Sequence, residues 1–256
     1  MKPWSKIAGY LVSLSVLVLL WDGILRLGLV NADLLPTPVA VLWSLVKLGV
    51  SPDFWLDISV TFARSLLGLL GGALVAIPLG TLMALQKPVR GFFEPLVKAS
   101  YSLPKIALIP LLILWFGVGT TTTVLAVTFS TLLPILVYTY HGVEGTPRVL
   151  LWSATAMGTG PGEAIWRVHL PAALPAILTG LRVGLGFSFV IAIATEMIAS
   201  DHGVGKLMFQ YGENGAYAPM FAALFVVITL AAGLDIACLR FSEATLRWHD
   251  SHSARQ

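Results

Sequence analysis

The chain is poor in charge. Asp, Glu, Lys and Arg make up 11% of its 256 residues, while 57% are apolar. A soluble domain carries about 25% charged residues. A soluble core of this length cannot hide so much apolar surface, so a soluble globular enzyme is excluded. A disordered chain and a collagen-like one are excluded with it. Cysteine is nearly absent. The single Cys238 rules out a disulfide framework and any multi-cysteine metal site, and it reads as a small buried hydrophobe. A phosphate-cradling G-x-x-x-x-G-K-[ST] loop is missing too. The nearest match, Gly205-Lys206, is followed by Leu207 and has Ser200 in place of the first glycine, which makes it a polar turn. Histidines are scattered; His249 and His252 lie three apart in a polar tail with no third ligand, so no metal site is read there. The net charge of +3 does not point to nucleic acid, because in a chain this apolar the placement of Lys and Arg relative to a membrane says more than their sum.

What is present is a set of long apolar runs. A helix needs about 20 apolar residues to cross roughly 30 Å of hydrocarbon. Six windows qualify, near 7–25, 59–85, 101–118, 121–140, 174–199 and 218–239. All are predicted to be helices, since a span in lipid must satisfy its own backbone. The fold class is therefore all-α and integral to the membrane. Gly117-Val118-Gly119-Thr120 predicts a tight hairpin between the third and fourth spans. Lys2 and Lys6 precede the first span, but Trp21-Asp22-Gly23 replaces a small-x-small cleavage site, so the span reads as an uncleaved helix. With the N-terminus inside, Lys2, Lys6, Lys87, Arg90, Lys98, Arg148, Arg167, Arg240, Arg247 and Arg255 fall on the cytoplasmic side; Arg26, Lys47 and Lys206 fall outside, with Asp33, Asp53, Asp57, Asp201 and Glu213. Both termini are then cytoplasmic. Thr37 before Pro38 predicts a helix start, and the short apolar run to Lys47 is expected to lie along the outer interface. The chain divides into a first helix (1–30), an outer interfacial segment (31–57), a core (58–242) holding a cytoplasmic loop (141–173), and a tail (243–256).

Small residues recur every fourth position in two spans. Gly68, Gly72, Ala76, Gly80 and Ala84 mark the second; Ala172, Ala176, Gly180, Gly184, Ser188 and Ala192 mark the fifth. Such stripes let helix backbones approach closely. They serve either packing within one subunit or, for the fifth span, contact with a partner or a path. Pro78, Pro110 and Pro134 are expected to kink their spans. Glu196 continues the fifth-span stripe near its outer end. It is read either as a solvated helix end or as a gate or structural group, with Arg64 as the basic partner. Arg182 either snorkels to the headgroups or lines an anion path. Asp235 reads as the structural partner of a basic residue.

The loop at 148–171 reads RVLLWSATAMGTGPGEAIWRVHLP. It predicts a helix over 149–157, a turn over Gly158–Gly162, and a second short helix over 163–169, with Pro171 either ending it or opening the next span. Leu150, Leu151, Trp152 and Met157 would then be exposed and mark a contact site, or they would pack back on the spans.

This loop resembles the EAA loop of ATP-binding-cassette importer permeases, whose pattern is E-A-A-x3-G-x9-I-x-L-P. Gly158, Val168, Leu170 and Pro171 stand at the pattern's spacing, and Ala154 matches its second alanine; Trp152 replaces the glutamate and Ser153 the first alanine. The runs Leu103-Pro104-Lys105-Ile106-Ala107-Leu108-Ile109-Pro110, Leu114-Trp115-Phe116-Gly117-Val118-Gly119, Leu170-Pro171-Ala172-Ala173-Leu174-Pro175, Thr179-Gly180-Leu181-Arg182 and Ala194-Thr195-Glu196-Met197 are similar to the nitrate, sulfonate and taurine branch of that superfamily. The resemblance spans roughly 34–249. It implies a type I importer permease in the bacterial inner membrane, working as one of two permease copies. It implies two ATP-binding subunits that carry ATP-Mg, and a periplasmic or lipid-anchored substrate-binding protein. No cofactor is expected in this chain. Leu151, Trp152, Ala154, Met157, Gly158, Leu170 and Pro171 would couple it to the ATPase, and Arg64, Arg182 and Glu196 would belong to the path or gate. The implied solute is a small oxyanion; relatives handling a vitamin precursor or an aromatic acid are the alternative. A secondary transporter and a membrane enzyme are the rivals. The first needs an ion-coupling site at mid-membrane and the second a catalytic cluster, and the sequence displays neither.

Overall fold

The computed structural model describes residues 3–31 and 34–246, with the side chains of 3–11 and Leu14 excepted. Lys2, the Lys6 side chain, Asp33, Arg247, His249, His252 and Arg255 lie outside the described residues. The elements are α1 (Pro3–Arg26), α2 (Pro38–Gly49), α3 (Pro52–Leu85), α4 (Lys87–Tyr101), a 3-10 turn (Lys105–Leu108), α5 (Ile109–Phe116), α6 (Thr120–Glu144), α7 (Arg148–Ala156), α8 (Pro161–Ala164), a π-turn (Ile165–His169), α9 (Leu170–Ala199), α10 (Val204–Glu213) and α11 (Tyr217–Thr245). No strand occurs among the described residues.

Among the described residues, four helices are long and apolar enough to cross a membrane: α3, α6, α11 and the unbroken helical run Pro161–Ala199. The 24 residues of α1 reach about 36 Å, again a spanning length. The third predicted span takes another form. It is not one straight helix over 101–118, because α4 and the segment Lys105–Phe116 meet at 99°. Pro104 is the reason: a proline pushes the residue before it out of the helical region, so Leu103 cannot continue α4. Pro110 does not kink a span either. It sits in the first turn of α5, where no N–H is needed. Pro78 and Pro134 do lie inside α3 and α6.

The centre of the bundle is α6, held between α3 and α9. Both small-residue stripes are used there. A Cβ added at Gly68 or Gly72 would collide with Val127 or Thr131, and one at Gly80 would stand 2.8 Å from the Leu136 carbonyl oxygen. On the other side, a Cβ at Gly180 would lie 2.8 Å from Cβ of Tyr138, and one at Gly142 would lie 2.7 Å from Cβ of Ala176. From Ala176 to Ala192 the fifth-span stripe therefore packs within the subunit. Burial of α6 costs little in polar groups. The hydroxyls of Thr128, Ser130, Thr131 and Thr139 each donate to the carbonyl four residues back, so the helix satisfies them itself.

The other helices wrap this core. Trp21 of α1 meets Phe221 and Phe225 of α11 at centroid distances of 6.0 and 6.1 Å. The expected start of α2 is present: Thr37 accepts from the Ala40 N–H at 3.2 Å, with Pro38 at the first helical position. Val41 and Leu48 of α2 are buried against Phe54, Val204 and Ala222. Cys238 corrects an expectation. It is exposed on α11, not buried, because α11 turns that face away from the bundle, where a weakly polar thiol suits hydrocarbon.

Candidate functional site

Two sets of predicted residues gather at opposite ends of α6. At its first turn, α3, α9 and α10 converge on Arg64 and Glu196. Arg64 is 5% exposed and Glu196 0%, so Glu196 is not a solvated helix end. Arg64 Nη1 donates to Glu196 Oε1 at 3.0 Å, to Ser200 Oγ at 2.7 Å and to the His202 carbonyl at 2.7 Å. Its Nε and Nη2 both reach Thr120 Oγ1, at 3.1 and 2.9 Å. The second carboxylate oxygen, Oε2, accepts from Thr61 Oγ1 at 2.7 Å and from the Gly205 N–H at 3.2 Å.

The opening of α10 explains why a carboxylate is tolerated there. The first N–H groups of a helix lack internal partners and carry the positive end of its dipole. Here they are met one by one. The Gly203 N–H donates to Asp57 Oδ1 at 2.7 Å, the Val204 N–H to Thr61 Oγ1 at 2.9 Å, and the Gly205 N–H to Glu196. Gly203 has φ +113, and a Cβ on it would strike the Glu196 carboxyl group. The Gly205-Lys206 pair thus belongs to a helix start whose anion site is filled by the chain's own glutamate. The Gly119 N–H donates to the Ala199 carbonyl at 2.9 Å, tying the α5–α6 hairpin to the end of α9.

Arg182 and Asp235 find each other across 53 residues. Nε and Nη2 of Arg182 each reach a different Asp235 oxygen at 2.6 Å, a two-pronged pair between α9 and α11 with both side chains about 40% exposed. Arg182 is therefore occupied by a carboxylate, and Asp235 has the basic partner expected of it.

At the far end of α6 the chain turns into α7. Thr146 Oγ1 donates to the Val143 carbonyl at 2.8 Å, and His169 Nδ1 lies 3.1 Å from the same hydroxyl. Two hydrogen bonds then close α7: Gly158 N–H to Thr155 O at 3.0 Å and Thr159 N–H to Ala154 O at 3.0 Å. This is a Schellman ending, and Gly158 supplies its left-handed residue at φ +85. The faces of α7 divide. Ala154 is buried and Leu151 half-buried, whereas Val149, Leu150, Trp152 and Met157 are exposed, Met157 to 84%. Leu170 packs with Val143, Ala173 and Ile177. An open cleft of about 570 Å³ separates α7 from the start of the long helix, lined by Leu150, Met157, Arg167 and Pro171 among others.

The second short helix of the loop is not separate. Residues 163–169 run through the π-turn into α9 without a stop, and Pro171 sits in the first turn of α9. Beside it, α4 is fixed to α6 by charge. Arg90 Nη1 donates to Glu144 Oε1 at 2.8 Å, and Glu94 bonds Lys98 at 2.7 Å and Arg90 at 3.1 Å. The hydrogen bonds from Lys98 and then from Arg90 hold the Glu94 carboxyl below the usual carboxylate range. Sequence reasoning missed two further exposed groups at this end, Val149 and Trp166 of the π-turn, the latter 74% exposed. Val149 precedes the resemblance motif and Trp166 falls at one of its unspecified positions, so only the helical register reveals their direction.

Comparison with known proteins agrees on the class. Residues 76–244 match the family described as binding-protein-dependent transport system inner membrane component. The chain is 31% identical over 242 residues to the taurine transport system permease protein TauC of Escherichia coli (strain K12), across 93% of this chain and 88% of that one. It is 28% identical over 254 residues to the putative aliphatic sulfonates transport permease protein SsuC of Bacillus subtilis (strain 168), across 98% and 92%. Among solved structures it is similar in fold to an inward-facing form of the MetNI methionine ABC transporter, with TM-score 0.66 and 21% identity over 80% of this chain and 97% of that one.

Proposed function

Because the chain belongs to the family of binding-protein-dependent transport system inner membrane components, we propose that it forms the path of an ATP-driven importer for a small oxyanion of the taurine and sulfonate class. It is the permease subunit of such a transporter and not an enzyme; hydrolysis falls to a separate ATPase. Its full-length relatives are a taurine permease and a sulfonate permease, which supports the solute class. Two copies of this chain would form the path. Two ATP-binding subunits holding ATP-Mg would sit at the α7 end, and a periplasmic or lipid-anchored binding protein would deliver solute at the α10 end. Lys87, Arg90, Lys98, Arg148 and Arg167 gather toward α7, which favours that end, and both termini, as cytoplasmic.

The observation that carries the coupling role is the outward face of α7. A capped helix presents Leu150, Trp152 and Met157, which the described residues leave exposed. Exposed apolar groups on a rigid element mark a contact site. Leu151 and Ala154 hold the helix to the bundle, Gly158 ends it, and Leu170 and Pro171 join its base to α9. Trp152 then offers an apolar anchor where the family pattern has a glutamate. Closure of the ATPase pair would push on α7 as a rigid body, and ATP biases the motion only through its different affinity for the two states. Burial of Arg64 and Glu196 inside one subunit favours a positioning role for them over a solute-lining one.

The test is transport by purified components in proteoliposomes. Taurine or alkanesulfonate uptake should require the ATPase subunits, ATP and the loaded binding protein. Uptake driven by an ion gradient with no ATPase present would assign the chain to secondary transport.

A further inference from the structure

Among the described residues, two pairs of charges join the spanning helices, Arg64 with Glu196 and Arg182 with Asp235. Lys105 breaks that pattern. It opens the 3-10 turn at the bend between α4 and α5, and among the described residues no carboxylate lies within 4.0 Å of its ammonium. What it meets is an aromatic face: Nζ stands 5.3 Å from the ring centroid of Phe187 on α9. Phe187 itself is 44% exposed.

Its depth follows from helix geometry. Ala199 ends α9 level with the α5–α6 hairpin, through the Gly119 N–H. Twelve residues separate Phe187 from Ala199, which is about 18 Å at about 1.5 Å per residue. In a hydrocarbon layer of about 30 Å, that places the ammonium near mid-membrane. A cation there must face protein or water and have a partner. An aromatic face holds an ammonium in place without neutralising it. The described subunit supplies no anion, so the anion comes from outside it.

We propose that Lys105, steadied on Phe187, is the mid-membrane contact for the negatively charged oxyanion group of the solute in transit. The inference rests on the oxyanion reading above and goes further by naming the residue that meets the charge. The bend at 102–104 is what delivers it, since a straight helix would carry Lys105 along its own axis and not across to α9. An ammonium is a compact point charge on a flexible stem, suited to holding a passing anion briefly and not in a fixed two-pronged grip.

The experiment uses the complete importer in proteoliposomes, with taurine as probe and Cys238→Ser as background so that one engineered thiol stands alone in this chain. Lys105→Cys should lower taurine uptake about tenfold, the loss of one charge-assisted contact, while ATP hydrolysis stimulated by the loaded binding protein persists. Treating the assembled complex with 2-aminoethyl methanethiosulfonate, which rebuilds a lysine-like cation on the thiol, should restore most of the uptake. Methyl methanethiosulfonate, which leaves the site neutral, should not; the background complex treated with each reagent is the baseline. Uptake by Lys105→Cys within about twofold of the background, equal rescue by the neutral reagent, or loss of the assembled complex would each overturn the proposal, the last by assigning Lys105 to an interface. If the background complex itself moves no taurine or other oxyanion, the oxyanion reading fails first and this inference with it.

Discussion

At the α10 end, α3, α6, α9 and α10 meet on one guanidinium and one carboxylate. Every donor and acceptor named there has a partner, and Arg64, Glu196, Thr61 and Ser200 are buried. At the α7 end, a nine-residue helix hangs beside an open cleft with Trp152 and Met157 turned to solvent. Both ends are short polar or apolar constellations on the same three long helices, yet one is closed upon itself and the other is incomplete. A buried ion pair holds elements in one arrangement, since a shifted partner strands a charge. An uncovered apolar face holds nothing until something binds it. The proposed division of roles rests on that difference: the α10 end would fix the bundle, and the α7 end would receive force from outside.

The comparison is broken most severely by removing one member of the buried pair. Glu196→Leu should destabilise the subunit by about 3–5 kcal/mol, because Arg64 is left charged and buried. The drop should register as loss of monodisperse protein in detergent and a lower unfolding temperature. The double variant Arg64→Met with Glu196→Leu should recover part of that loss; a double variant worse than the single one would deny that the two act as a pair.

Trp152→Ala comes next and sharpens the contrast. Truncating an aromatic anchor typically costs about 2 kcal/mol of association, which is roughly a thirtyfold weaker hold on the ATPase. The subunit's own unfolding temperature should not move, since Trp152 is 66% exposed. A stability loss without an association loss would return Trp152 to packing within the subunit.

Gly158→Val is expected to act more mildly on the same end. A β-branched residue at φ +85 costs about 1–2 kcal/mol of local strain, and nothing lies within 4 Å of the new Cβ to oppose it by contact. The helix ending should loosen, so ATP hydrolysis continues while uptake falls. Proportionate loss of both activities would argue against a mechanical role for the turn.

The smallest effect is expected at the α4 brace. Glu94→Gln removes two exposed ion pairs, with Arg90 and Lys98, and surface pairs contribute about 0–1 kcal/mol. Unfolding temperature and uptake should stay near the parent values, and a large loss would show that α4 bears load.

Much of this architecture was legible in local pattern. Thr37-Pro38 announced α2, the fourfold spacing from Gly68 to Gly80 announced a close helix contact on that face of α3, and Gly158 announced the end of α7. Each of these needs only neighbours in sequence. The Arg64–Glu196 pair was legible because both sit near the same end of long helices, although the α10 N–H groups that complete it were not. Long-range partners whose depth depends on a bend stayed hidden. The meeting of Lys105 with Phe187 requires the 99° turn at 102–104, and a hydropathy window averages across that turn. The Arg182–Asp235 pair joins α9 to α11 across 53 residues, a distance over which periodicity carries no information. The stripe in α9 had two readings for the same reason: spacing specifies a close contact without saying with what.

The π-turn at Ile165–His169, where the Leu170 N–H reaches back five residues to Ile165, sets a rule for length variation. A π-turn holds one residue more than the α-turn it replaces. Deleting a residue inside 165–169 would let the coil relax to ordinary pitch and leave everything downstream in register. Deleting one at 178 or 190 would rotate the remainder by about 100°, swinging Glu196 off Arg64. Insertions and deletions in homologous genes should therefore cluster at that one loosened coil and spare the thirty residues after it.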